Sequence, residues 1–269
     1  IYIKWIPEEK ILLTNIWSSE LSKLIANAFL AQRLSSINSI TALCESTGAE
    51  IDEVVKAIGH DTRIGKKFLS PSPGFGGSCF KKDILNLVYL CRFYKLEVVA
   101  NYWEQVLFIN EWQKQRISSL IIEKFFGTVA NKKIIILGFA FKCNTNDTRE
   151  SPSIQIAKDL LENGAKLFIN DPKVTKKQIE LELGLKELVN DSESYGSWSF
   201  ADDIYSVSEN ADAIVIATEW EEYKSLNWKK LPYLLRKPSW IFDTRNIISK
   251  KTFKQKDINF WQIGTSLAN

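Results

Sequence analysis

The residues best equipped for chemistry lie in one run, Pro73-Gly-Phe-Gly-Gly-Ser-Cys-Phe-Lys-Lys-Asp83. Gly74, Gly76 and Gly77 let a backbone approach a ligand closely and aim amide donors at it. Cys79 follows them, about one turn before a helix expected to begin near Asp83, a good N-cap residue. A helix N-terminus and the neighbouring Lys81 and Lys82 favour the thiolate, the nucleophilic form. Asp83 can orient or deprotonate a water. A thiolate beside a carboxylate suits covalent capture of an aldehyde followed by hydrolysis. The ordinary reading of such a run is a tight turn around a buried small residue, and the residues alone leave both readings open. GFGGS is not GxGxxG and follows no strand, so it does not read as a dinucleotide loop.

The elements around this run fall into two halves. In the first, apolar residues recur at helical spacing from Ser18 to Glu45: Leu21, Leu24, Ile25, Ala28 and Phe29, then Ile37, Ile40 and Leu43. Ser18 or Ser19 is the expected cap and Gly48 the stop. A short helix is expected from Ile51 to Ile58, closed by Gly59. The helix opening near Asp83 carries Leu85, Val88, Tyr89 and Phe93. Val98 to Phe126 then runs without Pro or Gly to Gly127, long enough to cross or link domains.

In the second half the period changes. Lys133 to Leu137 is a continuous apolar run before Gly138, the pattern of a buried parallel strand. Ser151-Pro-Ser opens a helix ending at Asn163-Gly164. Further strands are expected at Lys166–Asn170, broken by Asp171-Pro172, at Ala213–Ala217 and at Trp240–Asp243. Residues 184–200 read as a loop insertion. Strands alternating with helices predict right-handed βαβ units. The fold class is therefore α/β overall: an all-α domain over 1–126 with a long connecting helix, then a Rossmann-like domain with a mostly parallel sheet over 127–269.

Composition narrows the function classes. The chain has 269 residues, enough for two ordinary cores, with 45% hydrophobic and 25% charged residues, close to the globular average. A net charge of +3 and only short basic pairs, Lys229-Lys230 and Lys250-Lys251, give no footing for nucleic acid. No apolar run is long enough to span a bilayer, and charges at Lys4, Glu8, Glu9 and Lys10 exclude an opening secretory signal. Cys44, Cys79, Cys91 and Cys143 are scattered without CxxC pairing or nearby His, which argues against zinc and against a disulfide framework. A reducing cytoplasm is the expected compartment. With no Met even at position 1, the chain is expected to be a piece of a longer protein.

A series of motifs spans nearly the whole chain. It comprises Trp17-Ser-Ser-Glu-Leu-Ser-Lys23-Leu-Ile-Ala-Asn27 through Arg33, Asp61-Thr-Arg-Ile-Gly65, Gly74-Phe-Gly-Gly-Ser-Cys-Phe80 and Gly138-Phe-Ala-Phe-Lys142. Asn146-Asp-Thr-Arg-Glu-Ser151, Thr218-Glu-Trp220 and Phe242-Asp-Thr-Arg245 complete it. In kind and order it resembles the animal-type UDP-glucose dehydrogenases of the UDP-glucose/GDP-mannose dehydrogenase family. The resemblance implies oxidation of UDP-glucose to UDP-glucuronate in two NAD-dependent steps, without a metal. Cys79 would add to the intermediate aldehyde, giving a thiohemiacetal and then a thioester that water hydrolyses.

The same resemblance assigns the other roles. Lys23 stands near the reacting end of the sugar, where an ammonium stabilises developing alkoxide charge. Asn27, one helical turn on, positions substrate or an oxyanion, and Asp83 handles the water or its proton. Lys142 and Arg245 contact the nucleotide sugar just past strand ends, where ligands bind in open α/β sheets. Phe141 and Phe80 pack on uracil or sugar. The stretch from Phe68 to Gly74 lies along the substrate, and Phe75 and Gly76 belong with its contacts. Arg63 reaches a neighbouring subunit's site, implying a homo-oligomer, dimer or hexamer. Arg149 and Lys82 fall on the cofactor side. Taken alone, Lys23 and Asn27 read as a solvated helix face, Asp83 as a cap, the phenylalanines as core and each arginine as surface charge.

Pro71 and Pro73 stiffen the substrate loop relative to the animal form, Cys143 and Asn144 replace charged residues, and Thr244 replaces a common Gly. The only strand–Gly turn, Ile136-Leu-Gly-Phe-Ala140, lacks GxGxxG spacing, so the sheet domain is expected to serve UDP while NAD is bound mainly by an absent N-terminal domain. This piece alone is then expected to hold UDP-sugar without transferring hydride. The rival readings are a GDP-mannose or UDP-N-acetylmannosamine dehydrogenase, and a non-catalytic oligomerisation module.

Overall fold

The computed structural model describes residues 2–187, 196–253 and 258–266. Four helices make up the first half: α1 (Ile16–Thr47), α2 (Ile51–Ile58), α3 (Phe80–Phe93) and α4 (Glu97–Lys124). α1 begins two residues before the expected Ser18. Its cap is Asn15, whose side chain accepts from Ser18 N at 2.8 Å, and Gly48 ends it with φ +81°. α3 begins three residues before Asp83. Cys79 is its N-cap and Asp83 lies in its first turn, where a carboxylate also suits the helix dipole.

The buried stripes match the expected ones only in part: Leu24, Ala28 and Ile37 on α1 and Val88 on α3 are buried as expected, and the other positions differ. α1 buries Leu24, Ala28, Ala31, Ser35, Asn38 and Thr41, while Phe29, Ile40 and Leu43 face outward. α3 buries Ile84, Leu87, Val88 and Cys91, and leaves Leu85, Tyr89 and Phe93 exposed at four-residue intervals. Ala28 and Ala31 of α1 share one core with Ile84, Leu87 and Val88 of α3 and with Ala100, Trp103 and Val106 of α4.

The second half is a six-stranded sheet in the order β3-β2-β1-β4-β5-β6, every pair parallel. Strands and helices alternate from β1 to β4 and less regularly after it: β1 (Lys133–Leu137), α5 (Pro152–Glu162), β2 (Lys166–Asn170), α6 (Lys176–Leu183), β3 (Ser197–Phe200), α7 (Ile204–Ser208), β4 (Ala213–Ile216), α8 (Glu221–Lys224), α9 (Leu231–Leu234), β5 (Trp240–Asp243) and β6 (Asn259–Gln262). This is the doubly wound Rossmann order, with its switch point between β1 and β4. The expected loop at 184–200 holds β3 at its end, and its residues 188–195 lie outside the described residues.

At the switch point the turns after β1 and β4 touch. Gly138 has φ +99°, and a Cβ there would lie 2.3 Å from the Thr218 Cβ. Asp171 braces the β1 turn by accepting from Phe139 N at 2.7 Å and Ala140 N at 3.0 Å.

The halves share structure. Ile117, Ile121 and Phe125 at the end of α4 pack in the same core as β1 and β4. Arg116 reaches Glu45 at 2.6 Å, and Glu45 accepts from Gly264 N at 2.8 Å, pinning the segment after β6 to α1. Among the described residues no helix is long and apolar enough to cross a membrane.

Candidate active site

The glycine run is a buried loop held by amides from two helices. Asn38 on α1 accepts from Ser72 N at 2.9 Å. On α4, Asn110 accepts from Phe75 N at 2.7 Å and donates to Phe75 O at 3.2 Å, and Gln113 donates to Ser72 O at 2.9 Å. Buried backbone polar groups need such partners, which explains polar residues on the inner faces of both helices. Asn110→Ala would orphan both Phe75 groups and is expected to cost about 2–4 kcal/mol in denaturant unfolding. An unchanged midpoint would show that the amide does not hold the loop.

The sheet domain clamps the other side of the loop. Gly77 N donates to Arg149 O at 2.7 Å. A Cβ on Gly76 would lie 2.6 Å from Glu150 O and 2.8 Å from the Phe141 Cβ, so only glycine fits there. Glu150, itself at φ +56°, bonds Lys81 at 2.8 Å across the same junction. The Cys79 loop and the 141–150 segment are thus built as one unit.

Two cavities flank the start of α3. The larger, about 710 Å³, is lined by Phe68, Phe75, Gly76, Phe80, Phe141, Lys142 and Arg245, which join here from positions far apart in sequence. The smaller, about 200 Å³, is lined by Lys23 and Asp83 together with Trp17, Glu20 and Asn86. Asn27 donates to Asp83 Oδ2 at 2.6 Å, joining the two helices beside Lys23. Cys79 is exposed, one turn before Asp83, whose backbone N–H bonds Cys79 O at 2.9 Å. The sulfur therefore stands at the mouth of α3, outside the apolar core clusters.

The cationic end of the large cavity comes from loops after strand ends. Phe141 and Lys142 follow β1, and Arg245 follows β5. Arg245 Nε donates to Ala217 O at 2.8 Å and Nη2 to Phe141 O at 3.3 Å, while Nη1 lies 3.0 Å from Glu219 Oε2. Asp243 accepts from Arg245 N at 3.1 Å and Ile248 N at 2.8 Å, fixing this turn; burial pushes its carboxyl up. Burial also pushes up the nearby Cys143 thiol, with the Glu219 charge adding to the effect.

Three further positions lie elsewhere. Arg149 is exposed and doubly bonded to Asp147; that carboxylate raises its pKa most, and the Cys79 charge contributes in the same direction. Lys82 is exposed on α3. Arg63 is not drawn into either cavity: its side chain is 88% exposed and pairs with Asp61 at 2.6 Å. Glu219, Lys224, Asn246 and Ile247 also line the large cavity and are not among the site residues that the sequence points to. The signal for Glu219 was its place right after a strand end, in the Thr218-Glu-Trp220 motif.

A crevice with cations at the carboxyl ends of a 3-2-1-4-5-6 sheet, joined through a glycine loop to a cysteine at a helix mouth, defines a doubly wound α/β protein with its cavity where such sheets bind ligands. Residues 17–112 match the central domain, and residues 135–250 the UDP binding domain, of the UDP-glucose/GDP-mannose dehydrogenase family. The chain belongs to that family.

Among curated relatives, the UDP-glucose 6-dehydrogenase of Gallus gallus is 55% identical over 248 residues, covering 92% of this chain and 50% of the relative. Among solved structures, a UDP-glucose dehydrogenase from the hyperthermophilic archaeon Pyrobaculum islandicum aligns with a TM-score of 0.75 at 28% identity, covering 93% of this chain and 51% of that one. A UDP-D-ManNAc dehydrogenase from Pyrococcus horikoshii aligns with a TM-score of 0.72 at 27% identity, covering 94% and 53%. The chain spans about half the length of the curated relatives it matches.

Proposed function

We propose that this chain is the substrate-holding and covalent part of an enzyme that oxidises UDP-glucose to UDP-glucuronate. Residues 1–126 carry the cysteine loop and 127–269 hold the UDP moiety. The observation that carries this reading is the single loop whose Gly74–Gly76 stretch lines the cavity of Lys142 and Arg245 and whose end exposes Cys79.

In this mechanism Lys142 and Arg245 bind the diphosphate, and Phe141, Phe80, Phe68, Phe75 and Gly76 shape the walls around uridine and sugar. A bound NAD would supply the hydride acceptor for two successive oxidations. Exposed Arg149 and Lys82 suit the anionic groups of such a cofactor. These residues are accessory, because the 269 residues contain no GxGxxG turn. The C6 alcohol first loses a hydride and a proton. The Cys79 sulfur then bonds C6 of the aldehyde, and the carbonyl oxygen takes up the thiol proton. Loss of the second hydride and that proton leaves a thioester. Water, oriented by Asp83 and Asn27, breaks the C–S bond to give the carboxylate and free thiol. Lys23 stabilises the alkoxide that develops in each oxidation.

Arg63, directed outward, and the exposed Leu85, Tyr89 and Phe93 face of α3 support a homo-oligomer in which Arg63 serves a neighbouring site. A free nucleophilic thiol suits the reducing cytoplasm.

Calorimetry on the 269-residue chain is expected to detect saturable UDP-glucose binding, stronger than for GDP-mannose or UDP-N-acetylmannosamine. The same chain mixed with NAD and UDP-glucose is expected to yield no NADH. Absence of UDP-sugar binding would favour a purely structural module. Robust NADH formation would overturn the division of labour between this chain and a separate dinucleotide-binding domain.

A further inference from the structure

We propose that Glu219 is a specificity-determining residue that matches the cavity to the two charges of a nucleoside diphosphate sugar and disfavours nucleotides with more. The inference rests on the reading of the large cavity as a UDP-sugar site and adds the basis of its charge selectivity.

The ionisable side chains lining that cavity are Lys142, Lys224, Arg245 and Glu219. Three cations and one carboxylate give a formal balance of +2. A pyrophosphate esterified at both ends, as in a nucleotide sugar, carries two negative charges. Free UDP and UTP end in a phosphate that ionises further, so each brings more charge to the same place.

Glu219 is built into this balance. It follows β4 at the switch point, where the crevice opens. Its carboxylate lies 3.0 Å from Arg245 Nη1, and the Arg245 side chain is only 11% exposed. The other bonded nitrogens of Arg245 face the carbonyls of Ala217 and Phe141. Glu219 Oε2 is buried without an aligned hydrogen-bond donor, so its role toward Arg245 is that of a charge rather than of a shaped hydrogen bond. Lys224 is paired with Glu221 at 2.8 Å, but Glu221 is 81% exposed and its charge is well screened. Lys142 has no carboxylate within ion-pair distance among the described residues; its ammonium lies 5.4 Å from the Phe141 ring centroid. Removing the Glu219 charge would leave the cavity at +3 and tilt it toward terminal phosphates.

The test is titration calorimetry of the 269-residue chain with UDP-glucose, UDP and UTP, without divalent cations, for wild type and Glu219→Gln. Glutamine keeps the size and still offers a carbonyl to Arg245. With each extra ligand charge worth about threefold across a partly solvated cavity, Glu219→Gln is expected to improve UDP by about threefold and UTP by about tenfold relative to UDP-glucose. Raised salt should shrink those gains. Glu219→Asp, which keeps the charge, should retain the wild-type ranking, and thermal unfolding of each variant monitors the fold. Unchanged ratios among the three ligands, or equal weakening of all three, would overturn the charge-matching role while leaving the UDP-sugar site intact. Failure of wild type to bind UDP-glucose would remove both the site and this inference.

Discussion

Replacing Cys79 with Ser, in an enzyme that joins this chain to a dinucleotide-binding domain, is expected to lower UDP-glucuronate formation by about a thousandfold or more. UDP-glucose affinity should stay within about twofold, because the groups assigned to the diphosphate lie in the cavity beyond Phe80. A serine hydroxyl needs a free adjacent base to become a useful nucleophile, and the neighbouring carboxylate, Asp83, is engaged by Asn27. The one histidine, His60, is bonded to Lys56 O. The variant should therefore pass through the first oxidation and stop, giving one NADH where wild type gives two. Full UDP-glucuronate production by the variant would remove Cys79 from the mechanism.

The second large effect is on stability. Gly138→Ala is expected to cost about 3–5 kcal/mol, combining left-handed strain with overpacking. The added methyl would meet the Thr218 Cβ at 2.3 Å and Thr218 N at 2.8 Å, and backbone cannot give way as a flexible side chain does. The turns it would separate carry Phe141 and Lys142 on one side and Glu219 on the other, so UDP-glucose binding should fall with stability. Gly127→Ala is the control: φ is +87°, but no atom lies within 4 Å, so about 1–2 kcal/mol is expected. Equal losses at the two positions in urea unfolding would mean that the β1–β4 contact is not the tight junction described.

The parts of the fold legible in the sequence were those with strong, local signals. Ile134 to Leu137 is apolar throughout because β1 is one of the two central strands, flanked by β2 and β4 and buried on both faces. β3 and β6 lie at the sheet edges, and their four-residue runs, Ser-Trp-Ser-Phe and Asn-Phe-Trp-Gln, are too short and half-polar to stand out from loops. Asp83 was misplaced as a cap because Asp favours both the cap and the first turn, and composition does not separate the two. On α3, Leu85, Tyr89 and Phe93 repeat as regularly as the buried Ile84, Leu87, Val88 and Cys91, so spacing alone identifies only Val88 of the buried face.

Cys79, Lys23, Asn27 and Asp83 were readable as candidates from residue type and family-like motifs. Their supports were not. Asn38, Asn110 and Gln113 are ordinary polar residues in helices until the folded loop supplies the backbone groups they bind. Glu219 and Arg245 meet only because β4 and β5 are neighbours in the sheet, a pairing that no local spacing encodes.

The proposed reaction turns on capture, by the sulfur of Cys79, of the aldehyde of a UDP-sugar seated in the adjoining cavity. That step needs no cofactor, so it can be observed on the 269-residue chain itself, with the UDP-glucose 6-aldehyde labelled with carbon-13 at C6. The carbon-13 spectrum is expected to move from the free aldehyde and its hydrate to a thiohemiacetal carbon with wild type, and to stay unshifted with Cys79→Ser. A thiohemiacetal that survives in Cys79→Ser, or none in wild type saturated with the aldehyde, would contradict the account.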